Sequence, residues 1–101
     1  MQTDIRGIHH YEITEEDKQS VAERFERIGE QAGPEASLDV ELWEEQNPRI
    51  TDKMICAATL VLKGETIRAK EAHPEMVHAI HHAAEDVRRQ VKRHYEKQRG
   101  R

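Results

Sequence analysis

Arg88, Arg89, Lys92, Arg93, Lys97, Arg99 and Arg101 crowd the end of this 101-residue chain, opposed there by a single acid, Glu96. Guanidinium and ammonium groups at this density do one kind of chemistry well: they hold anions, phosphate above all. At helical spacing Arg88 and Lys92 flank an apolar stripe through Ile80, Val87 and Val91, and Arg89, Arg93 and Lys97 lie farther round. A plainer reading competes. Bases near a helix C-terminus complement its dipole by about 0.3–1 kcal/mol each, and Glu85 can pair with Arg89 one turn away. An earlier segment adds Lys18, Arg24 and Arg27, the last two neighbours on one helix flank, among Glu23, Glu26 and Glu30. Side by side, the two helices would gather their bases on one ridge or groove suited to phosphates.

Other reactive side chains point to less. His78, His81 and His82 recur at i, i+3 and i+4 with Glu85 a turn on, a spacing that can hold zinc or copper. They project from the polar side of the helix without a cysteine, so surface histidines are the reading adopted, and no metal or cofactor is expected. Cys56 lies in the most apolar segment and reads as packing; one cysteine also excludes an internal disulfide. Trp43 falls opposite Leu38, Val40 and Leu42, where it packs at a strand end or offers a stacking surface. The chain has no glycine-rich phosphate loop, no G-x-S-x-G, no H-E-x-x-H and no cysteine pair. Its carboxylates belong to helix surfaces. These absences point to a protein that binds rather than catalyses and that takes no small-molecule substrate.

The elements that must position these groups are legible in the pattern. Ile5–His9 reads as a short strand, with Gly7 marking a bulge or close backbone approach. Thr14 caps a helix, with Asp17 three residues on and Glu15 and Glu16 in its first turn. Val21, Phe25, Ile28 and Ala32 form its core stripe, and Gly33-Pro34 ends it. Ser37–Trp43 alternates as a half-buried strand, a polar loop follows to Lys53, and Met54–Leu62 is an apolar strand. Lys63-Gly64-Glu65 turns into a strand over Thr66–Glu71. His73-Pro74 starts a long final helix whose stripe is Met76, Ile80, Ala83, Ala84, Val87, Val91 and Tyr95, and Gly100 closes it. The order β-α-β-β-β-α predicts an α+β fold: a four-stranded mixed sheet, its first two strands parallel, with both helices on one face. The leading strand argues against a double-stranded-RNA-binding domain.

Composition sets the bounds. The length fits one domain spanning 1–101. No apolar run reaches the roughly 18 residues of a membrane span, and the N-terminus lacks a secretory pattern, so a cytoplasmic protein is expected. The net charge of −4 is uneven: residues 1–50 carry 13 acids and 5 bases, while residues 88–101 carry 1 acid and 7 bases. A basic end on an acidic body favours one anionic partner over indiscriminate adhesion to nucleic acid.

Several segments, in this order, are similar to one family. They are Glu12-Ile13-Thr14, the helix with Lys18, Arg24 and Arg27, the strand SLDVELWEE, Ala58-Thr59-Leu60 and Gly64-Glu65. Glu75-Met76-x-x-Ala79-Ile80 and Val87-x-Arg89-Gln90-Val91-x-Arg93 complete the set. Across roughly residues 2–98 the chain resembles the ribosome hibernation promoting factor / ribosome-associated inhibitor family, also called sigma-factor modulation proteins, in its short form. The resemblance implies binding to the small ribosomal subunit, with helix bases on 16S ribosomal RNA at the decoding centre, covering the mRNA and tRNA sites under stress. By matching position it assigns RNA contacts to Lys18, Arg24, Arg27, Arg89 and Arg93; the helical wheel adds Arg88, Lys92 and Lys97. A short form also implies a monomer. Glu30 and Asp86 stand where the family usually carries lysine, Val77 replaces a usual tyrosine, His81 replaces a usual aspartate, and the loop over 44–53 is slightly longer. The two reversed charges leave an alternative open, a protein-interaction module on the same fold with little RNA affinity.

Overall fold

A computed structural model describes residues 1–99, so the expected stop at Gly100 and the base Arg101 lie outside the described residues. The chain runs β1 (Gln2–Gly7), α1 (Glu15–Ala32), β2 (Ser37–Glu44), β3 (Met54–Leu62), β4 (Glu65–His73) and α2 (Met76–Arg99). The strands lie in the sheet in that order, β1 parallel to β2 and the other neighbours antiparallel. This is the expected four-stranded mixed sheet of an α+β fold.

The side-chain alternation of strands decides which residues meet the helices. Thr3, Leu38, Leu60 and Ile67 form one cross-strand row facing α1 and α2, and Ile5, Val40, Ala58 and Ala69 form the next. They join Val21, Phe25 and Ile28 of α1 and Ile80, Ala83, Val87 and Val91 of α2 in one core cluster. Both helices therefore cover the same face. The open face carries Arg6, paired with Glu41 at 3.1 Å, and Trp43, with Lys70 Nζ 5.5 Å from its ring centroid.

The start of α1 is fixed by a reciprocal cap. Thr14 Oγ1 accepts from the Asp17 amide at 3.0 Å, and Asp17 Oδ2 accepts from the Thr14 amide at 3.1 Å. Tyr11 Oη also donates to Asp17 Oδ2 at 2.6 Å, tying the β1–α1 loop to a carboxylate only 3% exposed.

Several boundaries differ from expectation, most of all those of β1 and of the β4–α2 junction. β1 starts three residues earlier and ends at Gly7 rather than His9. As an edge strand it pairs from Gln2↔Ser37 to Gly7↔Leu42, so its polar first half needs no apolar alternation. The chain then doubles back, and a Cβ on Gly7 would sit 2.0 Å from the Tyr11 carbonyl oxygen, which is the close approach the glycine suggested. His9 and His10 belong to this turn, with φ of 53° and 69°. At the other end, β4 extends to His73 because it pairs with Met54, and α2 begins at Met76, beyond Pro74. The Glu75 amide donates to His73 Nδ1 at 3.0 Å, and the Glu75 carbonyl accepts the first helical amides, from His78 and Ala79. Among the described residues no helix is long and apolar enough to cross a membrane.

Candidate nucleic-acid interface

All eight candidate bases are exposed, but the fold does not bring them together. Two anchors assign the flanks of α2. Tyr95 Oη donates to the Gln31 carbonyl of α1 at 3.1 Å, so the side carrying Tyr95 faces α1. Gln90 Nε2 donates to the Arg68 carbonyl at 2.9 Å, and His94 pairs with Glu65, so the side carrying Gln90 and His94 faces β4. On a helix, residues three, four, seven and eleven apart share a side. Arg88 and Lys92 lie in the Tyr95 row, toward α1; Arg93 and Lys97 lie in the Gln90 row, toward β4; Arg89 is on the crest.

The same spacing sorts α1. Arg24 and Arg27 share the row of Gln31, toward α2. Lys18 shares a row with Ala22, which lines a cleft beside β1, and it pairs with Glu15 at 3.3 Å. Both helices run opposite to β2 and β4, hence parallel to each other. The Tyr95–Gln31 contact then sets Arg88 level with Arg24, and Lys92 level with the turn holding Arg27. The inter-helix groove thus gathers Arg24, Arg27, Arg88 and Lys92.

Of these four, only Arg88 has an acidic partner among the described residues, Glu85 at 3.1 Å. Its hydrogen bond holds the Glu85 carboxyl below the ordinary carboxylate range. Arg24, Arg27 and Lys92 make no ion pair within the described residues, so the groove is a row of like charges on a rigid floor. Such an arrangement suits a phosphate backbone, whose negative charges offset the mutual repulsion.

The resemblance assigned Lys18 to the same RNA-contacting set as Arg24 and Arg27, whereas the fold sets it on the opposite flank of α1 from Arg24. His81, named in the sequence as part of the histidine trio, lies seven residues before Arg88 on the same row, and its Nδ1 is buried without a hydrogen-bond partner among the described residues. Glu30 and Asp86 lie off the groove on opposite sides: Glu30 lines the cleft beside β1, and Asp86 accepts from Gln90 on the β4 flank at 3.2 Å.

The other candidates resolve locally. His73 from β4 lies 4.8 Å from the ring of His78 and 5.8 Å from that of His82, while His78 Nε2 pairs with Glu75 at 3.0 Å. Among the described residues no three His, Cys, Asp or Glu side chains converge on a metal-sized site, so the trio His78, His81 and His82 forms no ready metal centre. Cys56 is fully buried, and burial pushes its thiol up to about 12. Trp43 is flanked by His9, the rings 6.0 Å apart and nearly perpendicular, and by Lys70 Nζ, so the indole already has neighbours from within the chain.

A family model described as sigma 54 modulation protein / S30EA ribosomal protein matches residues 4–99. No curated protein matches the chain. Among solved structures, the chain is similar to the N-terminal domain of Protein Y from Thermus thermophilus, with TM-score 0.72 and 24% identity over 92% of this chain and 98% of that one. It is also similar to a ribosomal subunit interface protein from Coxiella burnetii, with TM-score 0.77 and 16% identity over 95% of this chain and 99% of that one. At these identities the two structures speak for the fold.

Proposed function

From the premise that the chain belongs to the sigma 54 modulation protein / S30EA ribosomal protein family, we propose that it is a ribosome hibernation factor. The family is one of ribosome-associated modulation factors and not of enzymes. In this reading the protein binds 16S ribosomal RNA of the small subunit at the decoding centre and inhibits translation by occupying the space of mRNA and tRNA. It works in the cytoplasm, as one copy, without a cofactor. The observation that carries the reading is the inter-helix groove of Arg24, Arg27, Arg88 and Lys92, in which three cations have no acidic partner among the described residues.

The mechanism is occlusion. Arginine is suited to it, because its planar fork makes two parallel hydrogen bonds to one phosphate and remains charged at any physiological pH. The core beneath is closed by Val21, Phe25, Val87 and Val91, each at most 2% exposed, so the bases stand on a closely packed floor. A rigid wedge loses little entropy when it docks, and this favours competition with flexible mRNA.

Co-sedimentation with purified small subunits, at low and moderate salt, tests the reading. Wild-type protein should travel with the subunit and be released as salt rises. Arg24→Glu plus Arg88→Glu should abolish the association while leaving the circular dichroism spectrum intact. No association of wild type at low salt would refute the ribosomal reading.

A further inference from the structure

The two edges of the sheet are finished differently. The outer edge of β4 is stoppered by α2, through Gln90 on the Arg68 carbonyl and His94 on Glu65. Among the described residues β1 pairs only with β2, and its outer edge borders a cleft of about 770 Å³ between β1 and α1. Met1, Ile5 and Phe25 supply apolar lining, and Glu23, Glu26 and Glu30 also line it. Gly29 helps keep it open: a Cβ there would already stand 3.2 Å from the Met1 side chain. Glu26 and Glu30 make no hydrogen bond or ion pair among the described residues and sit one turn apart, an arrangement that is mutually repulsive until a cation arrives. β1 holds no proline, and its only basic side chain, Arg6, lies on the other face paired with Glu41, so the usual guards of an edge strand are weak here.

We propose that this edge docks an extended, basic, amphipathic protein segment, which adds to β1 as a fifth strand. An apolar side chain would enter the cleft over Met1, Ile5 and Phe25, and lysine or arginine two residues to either side would meet Glu26 and Glu30. Charge decides the occupant. Three carboxylates exclude a phosphate backbone. A second copy docked edge to edge would set Glu26 and Glu30 against their own counterparts. The site lies on the flank of α1 away from Arg24 and from α2, so the inference goes beyond the RNA-binding reading and does not depend on it.

The test uses the full chain, labelled with nitrogen-15, and two capped peptides. One is acetyl-Thr-Lys-Thr-Ile-Thr-Lys-Thr-amide, and the other replaces both lysines with glutamate. The lysine peptide should shift amides of residues 2–7 and 22–30 saturably and slow hydrogen exchange along β1; the glutamate peptide should do neither. Glu26→Lys plus Glu30→Lys, at exposed positions off the core, should weaken the lysine peptide about tenfold, the scale of two exposed ion pairs. It should also let the glutamate peptide bind. Gly29→Leu should fill the cleft and remove binding while the melting temperature reports that the fold persists. Shifts confined to other surfaces, equal response to both peptides, or no saturation at millimolar peptide would overturn the proposal. Shifts on β1 that appear with protein concentration alone would overturn it in favour of a second copy.

Discussion

Neutralising two groove cations should change the salt dependence of ribosome binding by a calculable amount. Arg24, Arg27, Arg88 and Lys92 supply four candidate phosphate contacts. Each contact contributes about 0.7–0.9 to the slope of log affinity against log salt. Wild type should therefore show a slope near −3 from the groove, and about a hundredfold loss between 50 and 200 mM salt. Arg24→Gln plus Lys92→Gln should halve the groove's slope, so that the same salt step costs about tenfold. Stability should move the other way. At helix spacings of about 8–10 Å a pair of like charges in water repels by about 0.5 kcal/mol, so the variant should unfold at the same urea concentration or slightly higher. The assay is filter binding to small subunits over a salt series, with urea unfolding alongside. Arg93→Gln plus Lys97→Gln, on the β4 flank, is the matched control. The reasoning fails if the groove variant keeps the wild-type slope, or if the β4-flank variant loses more of it.

Three further outcomes follow from single contacts. Glu85→Gln releases Arg88 from its 3.1 Å partner and should raise affinity for the small subunit at a fixed salt concentration, with the slope still set by the same four groove contacts. Acid does the same only once pH falls through the depressed pKa of Glu85, so binding between pH 6 and 8 should show no step from this group. Asp17→Ala leaves Tyr11 Oη and the Thr14 amide without their shared acceptor and should cost about 2–3 kcal/mol in urea unfolding, with Tyr11→Phe costing about 1 kcal/mol. Cys56 should not react with a thiol reagent until the protein unfolds. Its folded-state pKa is raised from 9.0 to about 12, so its contribution to stability is whole below pH 9 and declines as pH rises toward 12; alkaline unfolding of wild type against Cys56→Ala checks the sign.

The elements were legible where local chemistry decides them. Thr14 and Asp17 announced the α1 cap, Met54–Leu62 announced β3, and Gly64, at φ 82°, announced the β3–β4 turn. The readings that slipped rest on distant partners. The Gln2–Asp4 segment carries no apolar alternation and becomes a strand only by lying against Ser37–Asp39. His73 is taken from the helix by its pairing with Met54. The site was half legible for the same reason. A helical wheel gives the angle between Arg24 and Lys18, but not which flank meets a neighbour. That assignment came from Tyr95 on Gln31 and Gln90 on Arg68, contacts 64 and 22 residues apart in the chain.

Those contacts also change the meaning of the acids that sequence reasoning set against RNA binding. Glu23, Glu26 and Glu30 interleave with Arg24 and Arg27 along the chain, and by composition α1 is simply acidic. In space the helix sorts Arg24 from Glu26 and Glu30, which lie two and six residues on and so across the helix, while Arg27, four residues before Gln31 and three before Glu30, stands at the outer rim of the groove. Arg24 shares the row of Gln31, toward α2, and Glu26 and Glu30 line the cleft beside β1. On the proposed RNA-binding reading, a polyanion would meet attraction over the groove and repulsion at the β1 edge, and this contrast would orient the whole domain against RNA as well as set its affinity. Glu30, which stands where the resembled family usually carries lysine, would then mark the boundary of that surface rather than weaken it, and Glu30→Lys should broaden non-specific RNA binding more than it strengthens specific binding.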